Sequence, residues 1–464
     1  MFTRTLVRSA FALALLVTAD ARAATDTELA EIREQIRQLK ESYEARIKAL
    51  EERIRAAESP AAQSAAATVP AAPTSATAAA RLTSAPASCI SAFNPAISAV
   101  LQGTYINLSQ DPNNYELKGF VPSGDIGPGS RGFSLAESEL TLRASVDDKF
   151  AGVLTFALTP EDTVAVEEAY GVATSLPFGL TPKFGRFFSG IGYLNEQHQH
   201  SWDFYDAPLA YQAFVGGQYA NDGVQLKWVA PTDTFLEIGG ELGSGNAFPG
   251  NSRNKNGIGN GIVYVHAGGD VGASNSWRAG LSYVRTAAKD RTYEQTDLSG
   301  NDAQLSFSGR SQVAIADFVW KWAPNGNAQE RNFKLQGEYF WRREHSDLTY
   351  DADSALAATQ TGDYRSRQSG FYVQGVYQFM PYWRVGTRYD RLESGNVDYG
   401  VNSAYFGDVS FNPQRTSLMF DYTPSEFSRF RVQYAQSKVQ PGLTDNQIFV
   451  QYILTLGAHG AHRY

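Results

Sequence analysis

Between Gly370 and Leu392 apolar and polar residues alternate with a period of two. Phe371, Val373, Gly375, Tyr377 and Phe379 fall on one face of an extended chain, and Tyr372, Gln374, Val376 and Gln378 on the other. Met380 and Pro381 turn the chain. Beyond them Trp383, Val385, Thr387 and Tyr389 continue the apolar face, while Arg384, Gly386, Arg388 and Asp390 continue the polar one. The pattern predicts a hairpin with one apolar and one charged face. A soluble sandwich shares such alternation. Aromatic residues at the turn end of the apolar face are what a hairpin meeting lipid headgroups requires.

The module recurs from about Ala96 to the C-terminus and predicts an all-β fold, a transmembrane antiparallel β-barrel of about sixteen strands. Strands are expected to begin near Ala96, Ser138, Ala151, Thr163, Thr181, Gly223, Thr234 and Gly261, then near Ser276, Ser311, Asn332, Gly370, Tyr382, Arg415, Ser428 and Asn446. Short turns at Val146–Phe150, Ala230–Thr234, Phe379–Tyr382 and Tyr422–Phe427 alternate with long polar loops at Ser109–Phe133, Ser189–Asp222, Gly243–Asn260, Thr286–Gly309 and His345–Ser369. With both termini in the periplasm every long loop falls outside, and Thr159–Asp162 is the one short external connection. In the last strand Ile448, Val450, Tyr452, Leu454 and Leu456 form an unbroken apolar face.

The period changes near the N-terminus. Leu29, Ile32, Ile36, Leu39, Tyr43, Ile47, Leu50, Ile54 and Ala57 step by threes and fours, a helical stripe narrow enough for a coiled-coil seam. Pro60 ends it. Four regions follow: a signal peptide at 1–23, an α-helical coiled coil at 24–58, an Ala/Pro/Ser/Thr linker at 59–89 and the barrel at 90–464. The signal rests on Arg4 and Arg8, the short apolar core Phe11–Ala19, and small residues at Ala21 and Ala23.

Composition adds exclusions. Mean hydropathy is −0.32, which is no argument against membrane residence, because a barrel carries its membrane signal in alternation. A formal net charge of −8 gives no support to a nucleic-acid partner. Cys89 is the single cysteine, so no disulfide framework or cysteine metal site is expected. No phosphate-cradling glycine loop, nucleophile elbow or HExxH stands in the chain, and neither an enzyme nor a cofactor is expected. Glu167 and Glu168, adjacent on a strand, are expected to face opposite sides and form no dyad.

The run Lys183-Phe184-Gly185-Arg186-Phe187-Phe188, then Gly190-Ile191-Gly192-Tyr193-Leu194-Asn195-Glu196, a loop, and Asn221-Asp222-Gly223-Val224-Gln225-Leu226-Lys227-Trp228 resembles the phosphate-selective porin family of Gram-negative outer membranes. The resemblance covers the barrel. It implies a sixteen-stranded homotrimeric channel with a loop folded into the pore, here Ser189–Asn221.

Selectivity in such a channel comes from charges lining its constriction. The candidate pore-lining residues are Arg143, Arg186, Lys227, Arg278, Lys334, Arg384, Arg388, Arg431 and Asp390. Signs on the polar faces are mixed, so the preference is anion-leaning at most, and many of these charges can equally pair across strands. His198 and His200, with Glu196, Asp203 and Asp206 flanking them, are weak candidates for a zinc-like site; a solvated loop is the default. The function expected is passive diffusion of small hydrophilic solutes or ions across the outer membrane. The alternatives are a tether holding the membrane to peptidoglycan through the N-terminal coil, and a zinc-related uptake channel. The expected partners are outer-membrane lipid and two further copies of the chain.

Overall fold

A computed structural model describes residues 95–457, apart from 125, 161–162 and 408–409, together with residue 37. The expected signal peptide, the linker with Cys89, and the tail carrying His459 and His462 lie outside the described residues, as does the coiled coil apart from residue 37.

Seventeen strands form one closed antiparallel sheet. They are β1 (Ala96–Leu108), β2 (Gly132–Leu135), β3 (Ser138–Ser145), β4 (Phe150–Leu158), β5 (Val164–Ala173), β6 (Leu180–Phe188), β7 (Ala220–Val229), β8 (Phe235–Gly243) and β9 (Asn260–Val271). The ring continues through β10 (Asn275–Thr296), β11 (Asp302–Trp322), β12 (Asn332–Tyr350), β13 (Gln360–Met380), β14 (Trp383–Asp398), β15 (Gln414–Ser425), β16 (Ser428–Lys438) and β17 (Asp445–Gly457). From β3 to β17 each strand pairs with the next in sequence, and β1 closes the ring against β17, from Ser98 opposite Gly457 to Leu108 opposite Gln447. The other edge of β1 takes β3 along Ala96–Val100 and β2 along Gly103–Ile106, so β2 and β3 are two segments of one wall position. The result is a barrel of sixteen wall positions.

The period-two pattern sorts the side chains as expected. In the hairpin of β13 and β14, Tyr372, Gln374, Val376, Arg388 and Asp390 are buried inside, while Val373 and Val385 are exposed on the outer face. Along β17 Ile448, Val450, Tyr452 and Leu456 are exposed outward, and Phe449 and Ile453 are buried inward. Among the outward aromatics Trp383 stacks on Tyr422 and Phe430 packs on Tyr452, next to the short turns. That is the girdle position of a membrane barrel. Short-turn geometry has local causes: the Asp147 carboxylate accepts the N–H groups of Lys149 and Phe150 at 2.8 and 2.7 Å.

Two expected loops are corrected. Thr286–Gly309 and His345–Ser369 are mostly strand, since β10 runs to Thr296, β11 begins at Asp302, β12 runs to Tyr350 and β13 begins at Gln360. Leu305, Phe307, Leu348, Tyr350 and Tyr364 are buried there on the inner face, while their outward neighbours are polar. Above the lipid the outer surface meets water, so the apolar face turns inward and the pattern no longer resembles a lipid-facing strand. Strands β10–β13 are 19 to 22 residues long against 8 and 9 for β3 and β4. At roughly 3.3 Å per residue that is about 63–73 Å of strand against about 26–30 Å.

Candidate functional site

The connection from β6 to β7, residues 189–219, turns into the lumen. Asn195 ties its root: the amide Nδ2 donates to the carbonyls of Ser189 and Tyr219 at 2.8 and 2.9 Å, and Oδ1 accepts the N–H of Tyr219 at 2.7 Å. The segment Leu209–Val215 forms the one α-helix in the described part of residues 95–457, α1, bounded by Pro208 and by Gly216, whose φ of +74° is a left-handed cap. Every residue of α1 is buried. Phe214 stacks on Phe340, and Ile191, Leu194 and Tyr211 pack with Val313, Ile315 and Tyr372 of the inner wall. Burying Phe214 contributes about 1.5–3 kcal/mol. Apolar residues in a loop between polar strand ends therefore fold inward rather than into water. The loop at 109–131 follows it: Leu117 and Phe120 join the same cluster, and the Tyr115 hydroxyl donates to Gln212 Oε1 at 2.9 Å.

Three patches of wall hold the loop. On β12–β16, Asp203 pairs with Lys334 and, at 2.9 Å, with Arg384. Asp206 pairs with Arg415 and, at 2.8 Å, with Arg388. Asp390 bonds both Arg388 at 3.0 Å and the N–H of Leu209 at 2.9 Å. Asp421 stands between Arg384 and Arg431, which also donates to the Trp202 carbonyl at 2.6 Å. Burial pushes the Asp203 and Asp206 carboxyls up, but Lys334 and Arg384 beside the first, and Arg415 and Arg388 beside the second, hold both below the usual carboxylate range.

The second patch lies on β7–β12. Glu196 pairs with Lys227, and despite the upward push of burial the ammonium groups of Lys227 and Lys183 hold its carboxyl down to about 2. Arg278 donates to the carbonyl of Gly192 at 3.0 Å, and Glu338 accepts the N–H of Leu194 at 3.0 Å and the Tyr211 hydroxyl at 2.9 Å. Gly192 has no room for a side chain: its φ is +62°, and a Cβ would run into the Glu338 carboxylate.

The third patch, on β3 and β5, is built of carboxylates and imidazoles. His198 Nδ1 lies 3.0 Å from Glu139 and 3.2 Å from Glu167, while its Nε2 lies 3.2 Å from Glu168. His200 Nδ1 lies 2.8 Å from Glu139. Burial pushes the His198 imidazole down, but its bonds to Glu139, Glu167 and Glu168 raise it well above the usual value. The separation expected of Glu167 and Glu168 is corrected. Thr155 pairs with Glu168 and Phe156 with Val166, so Glu167 is the extra residue of a β-bulge and both carboxylates reach one ring.

Alternation and contacts place Lys227, Arg278, Lys334, Arg384, Arg388, Arg431 and Asp390 inside, most of them on the inserted loop, and Arg143 on the inward face of β3 with Glu139. The expectation for Arg186 is corrected. It shares the outward face of β6 with exposed Phe184 and forms an ion pair with Asp222 at 2.6 Å. The histidines keep company with wall glutamates, and Glu196, Asp203 and Asp206 are taken by Lys and Arg elsewhere. Between the loop and the turn at 380–382 lies a cavity of about 850 Å³, whose lining includes Asp203, Lys334, Arg384, Arg429 and Tyr382.

No family model matches the chain. It is similar to a protein of Aquifex aeolicus (strain VF5) described as uncharacterized, 29% identical over 403 residues that cover 80% of each chain. Among solved structures it is similar to the outer-membrane channel DcaP of Acinetobacter baumannii, at 14% identity and a TM-score of 0.46 over 78% of this chain and 96% of that one. It is also similar to an anion-selective porin from Comamonas acidovorans, at 10% identity and a TM-score of 0.44 over 78% and 98%. The identities are low throughout, and the barrel stands on its own strand pairing.

Proposed function

We propose that the protein is an outer-membrane channel for passive diffusion of small hydrophilic solutes or ions, with conductance set by the loop at 189–219. The observation that supports this best is that loop, seated inside a closed barrel whose outer face is apolar and whose inner charges meet it on several strands. An apolar belt suits a lipid setting, and charge kept on the inner face suits an aqueous path. Around Asp203 and Asp206 the inner wall of β12–β16 gathers Lys334, Arg384, Arg388, Arg415, Arg429 and Arg431 against Asp203, Asp206, Asp390 and Asp421, six cations to four anions. That excess favours anions weakly and belongs with the resemblance to phosphate-selective porins. The assembly proposed is a homotrimer, joined by barrel walls and by the seam Leu29–Ala57.

Planar-bilayer recording of the purified protein tests the function. Stepwise conductance with a reversal potential slightly toward anions in a salt gradient is the expected result. The buried state of the inner charges also favours a second reading, in which the loop closes the barrel and the N-terminal coil tethers the membrane to peptidoglycan. Silence in the bilayer together with firm peptidoglycan binding selects that reading and ends the first.

A further inference from the structure

We propose that the third patch is a divalent-cation site of zinc type, held by Nδ1 of His198, Nδ1 of His200 and the carboxylate of Glu139, with the fourth position open to water or to Glu167. The proposal needs no conduction through the barrel and stands apart from the channel reading.

Donor convergence is its basis. The ligand atoms of Glu139, His198 and His200 lie within 4.8 Å of one another, and so do those of Glu137, Glu139 and Glu167. Zinc holds N and O ligands at about 2.0–2.2 Å in a tetrahedron, which spaces neighbouring ligand atoms about 3.3 Å apart. The separations here are 3.0 Å from His198 to Glu139, 3.2 Å from His198 to Glu167 and 2.8 Å from His200 to Glu139. His198 and His200 meet different oxygens of Glu139, Oε2 and Oε1, so an ion seated between the rings draws on a set of donors already within 4.8 Å of one another.

The outer groups fit as well. A metal-bound imidazole usually donates its other N–H to a carboxylate that fixes the ring. His198 Nε2 faces Glu168 at 3.2 Å, and the β-bulge at Glu167 lets one strand supply both a ligand and this orienting partner. Charge points the same way. Glu139 is 3% exposed, and among the described residues no Lys or Arg lies within ion-pair distance of Glu137, Glu139, Glu167 or Glu168. A single proton on His198 Nδ1 must be shared between two carboxylates. The two imidazoles stack at 5.6 Å, a poor arrangement if both are cationic. A divalent ion satisfies both carboxylates with both rings neutral, and any proton on Nδ1 leaves to solvent as the ion binds. Bound there, it clamps the root of the loop to β3 and β5.

The test titrates zinc chloride calorimetrically into the full chain, folded in detergent at neutral pH. His459→Ala and His462→Ala are introduced throughout to remove the tail histidines, and heat-modifiable gel migration checks the barrel. One zinc per chain is expected, with affinity lowered about 100-fold or more by His200→Ala and about 10- to 100-fold by Glu168→Gln. Cobalt(II) in place of zinc should show the strong visible absorption of a four-coordinate ion. Failure of the folded protein to take up one ion per chain overturns the proposal. Affinity unchanged by His200→Ala in a folded barrel does so equally, whether or not the protein conducts.

Discussion

One loop is anchored at its two flanks by opposite chemistries. Toward β12–β16 its Asp203 and Asp206 enter a lattice of guanidinium groups, where permanent charges of opposite sign meet at 2.8–3.0 Å and are shielded from water. Toward β3 and β5 its His198 and His200 enter a group of glutamates with no Lys or Arg at ion-pair distance among the described residues. In the first anchor each loop carboxylate meets fixed cations of the wall. The second gathers negative charge that a proton or a metal ion must balance. The contrast shows how an inserted segment can be fixed on one side and responsive on the other while both contacts are buried.

The contrast can be broken most strongly at Asp206. Asp206→Ala leaves Arg388 and Arg415 buried without that partner, a loss of about 3–5 kcal/mol for a broken buried pair. Denaturant unfolding in detergent should register it, and single-channel conductance should rise as the loop loosens. Acid should attack the same anchor next. Asp203 and Asp206 have folded-state pKa values below the ordinary ~3.9, so their contribution is present above that value and lost as pH falls through the depressed ones. Thermal stability followed downward from neutral pH should therefore hold through mild acid and fall below about pH 4. Glu168→Gln sharpens the other side. It should weaken zinc binding by about 10- to 100-fold, which calorimetry can check. Arg186→Ala marks the lower limit. Its pair with Asp222 is exposed and faces outward, so stability should change by less than about 1 kcal/mol and conductance should stay the same.

Alternation made much of this legible. Arg384, Arg388 and Asp390 stand an even number of residues apart, with Gly386 between the first two, on a strand whose other face reads Trp383, Val385 and Tyr389, and period two leaves them only the inner wall. The loop at 189–219 was legible too, from its length and from the family resemblance. Arg186 shows the limit. As a charge on a strand it is expected on the polar, lumen-facing side, but Phe184 outward on β6 carries Arg186 outward with it. The upper parts of β10–β13 were hidden because outward polar and inward apolar residues above the lipid look like loop.

The sequence by itself determined the barrel, about sixteen strands and the faces of the strand stretches that cross the lipid, because a period of two is a property of the extended chain and needs no partner. Tertiary structure alone decided which charges meet. Glu196, Asp203 and Asp206 stand next to the histidines in the chain, yet each is drawn to cations on β7, β12, β14 or β15. The carboxylates that face His198 come from residues 139, 167 and 168, brought there by barrel closure and by one inserted residue that turns a glutamate inward. Coulombic pairing acts through space over a few ångströms, and only the closed sheet sets those distances.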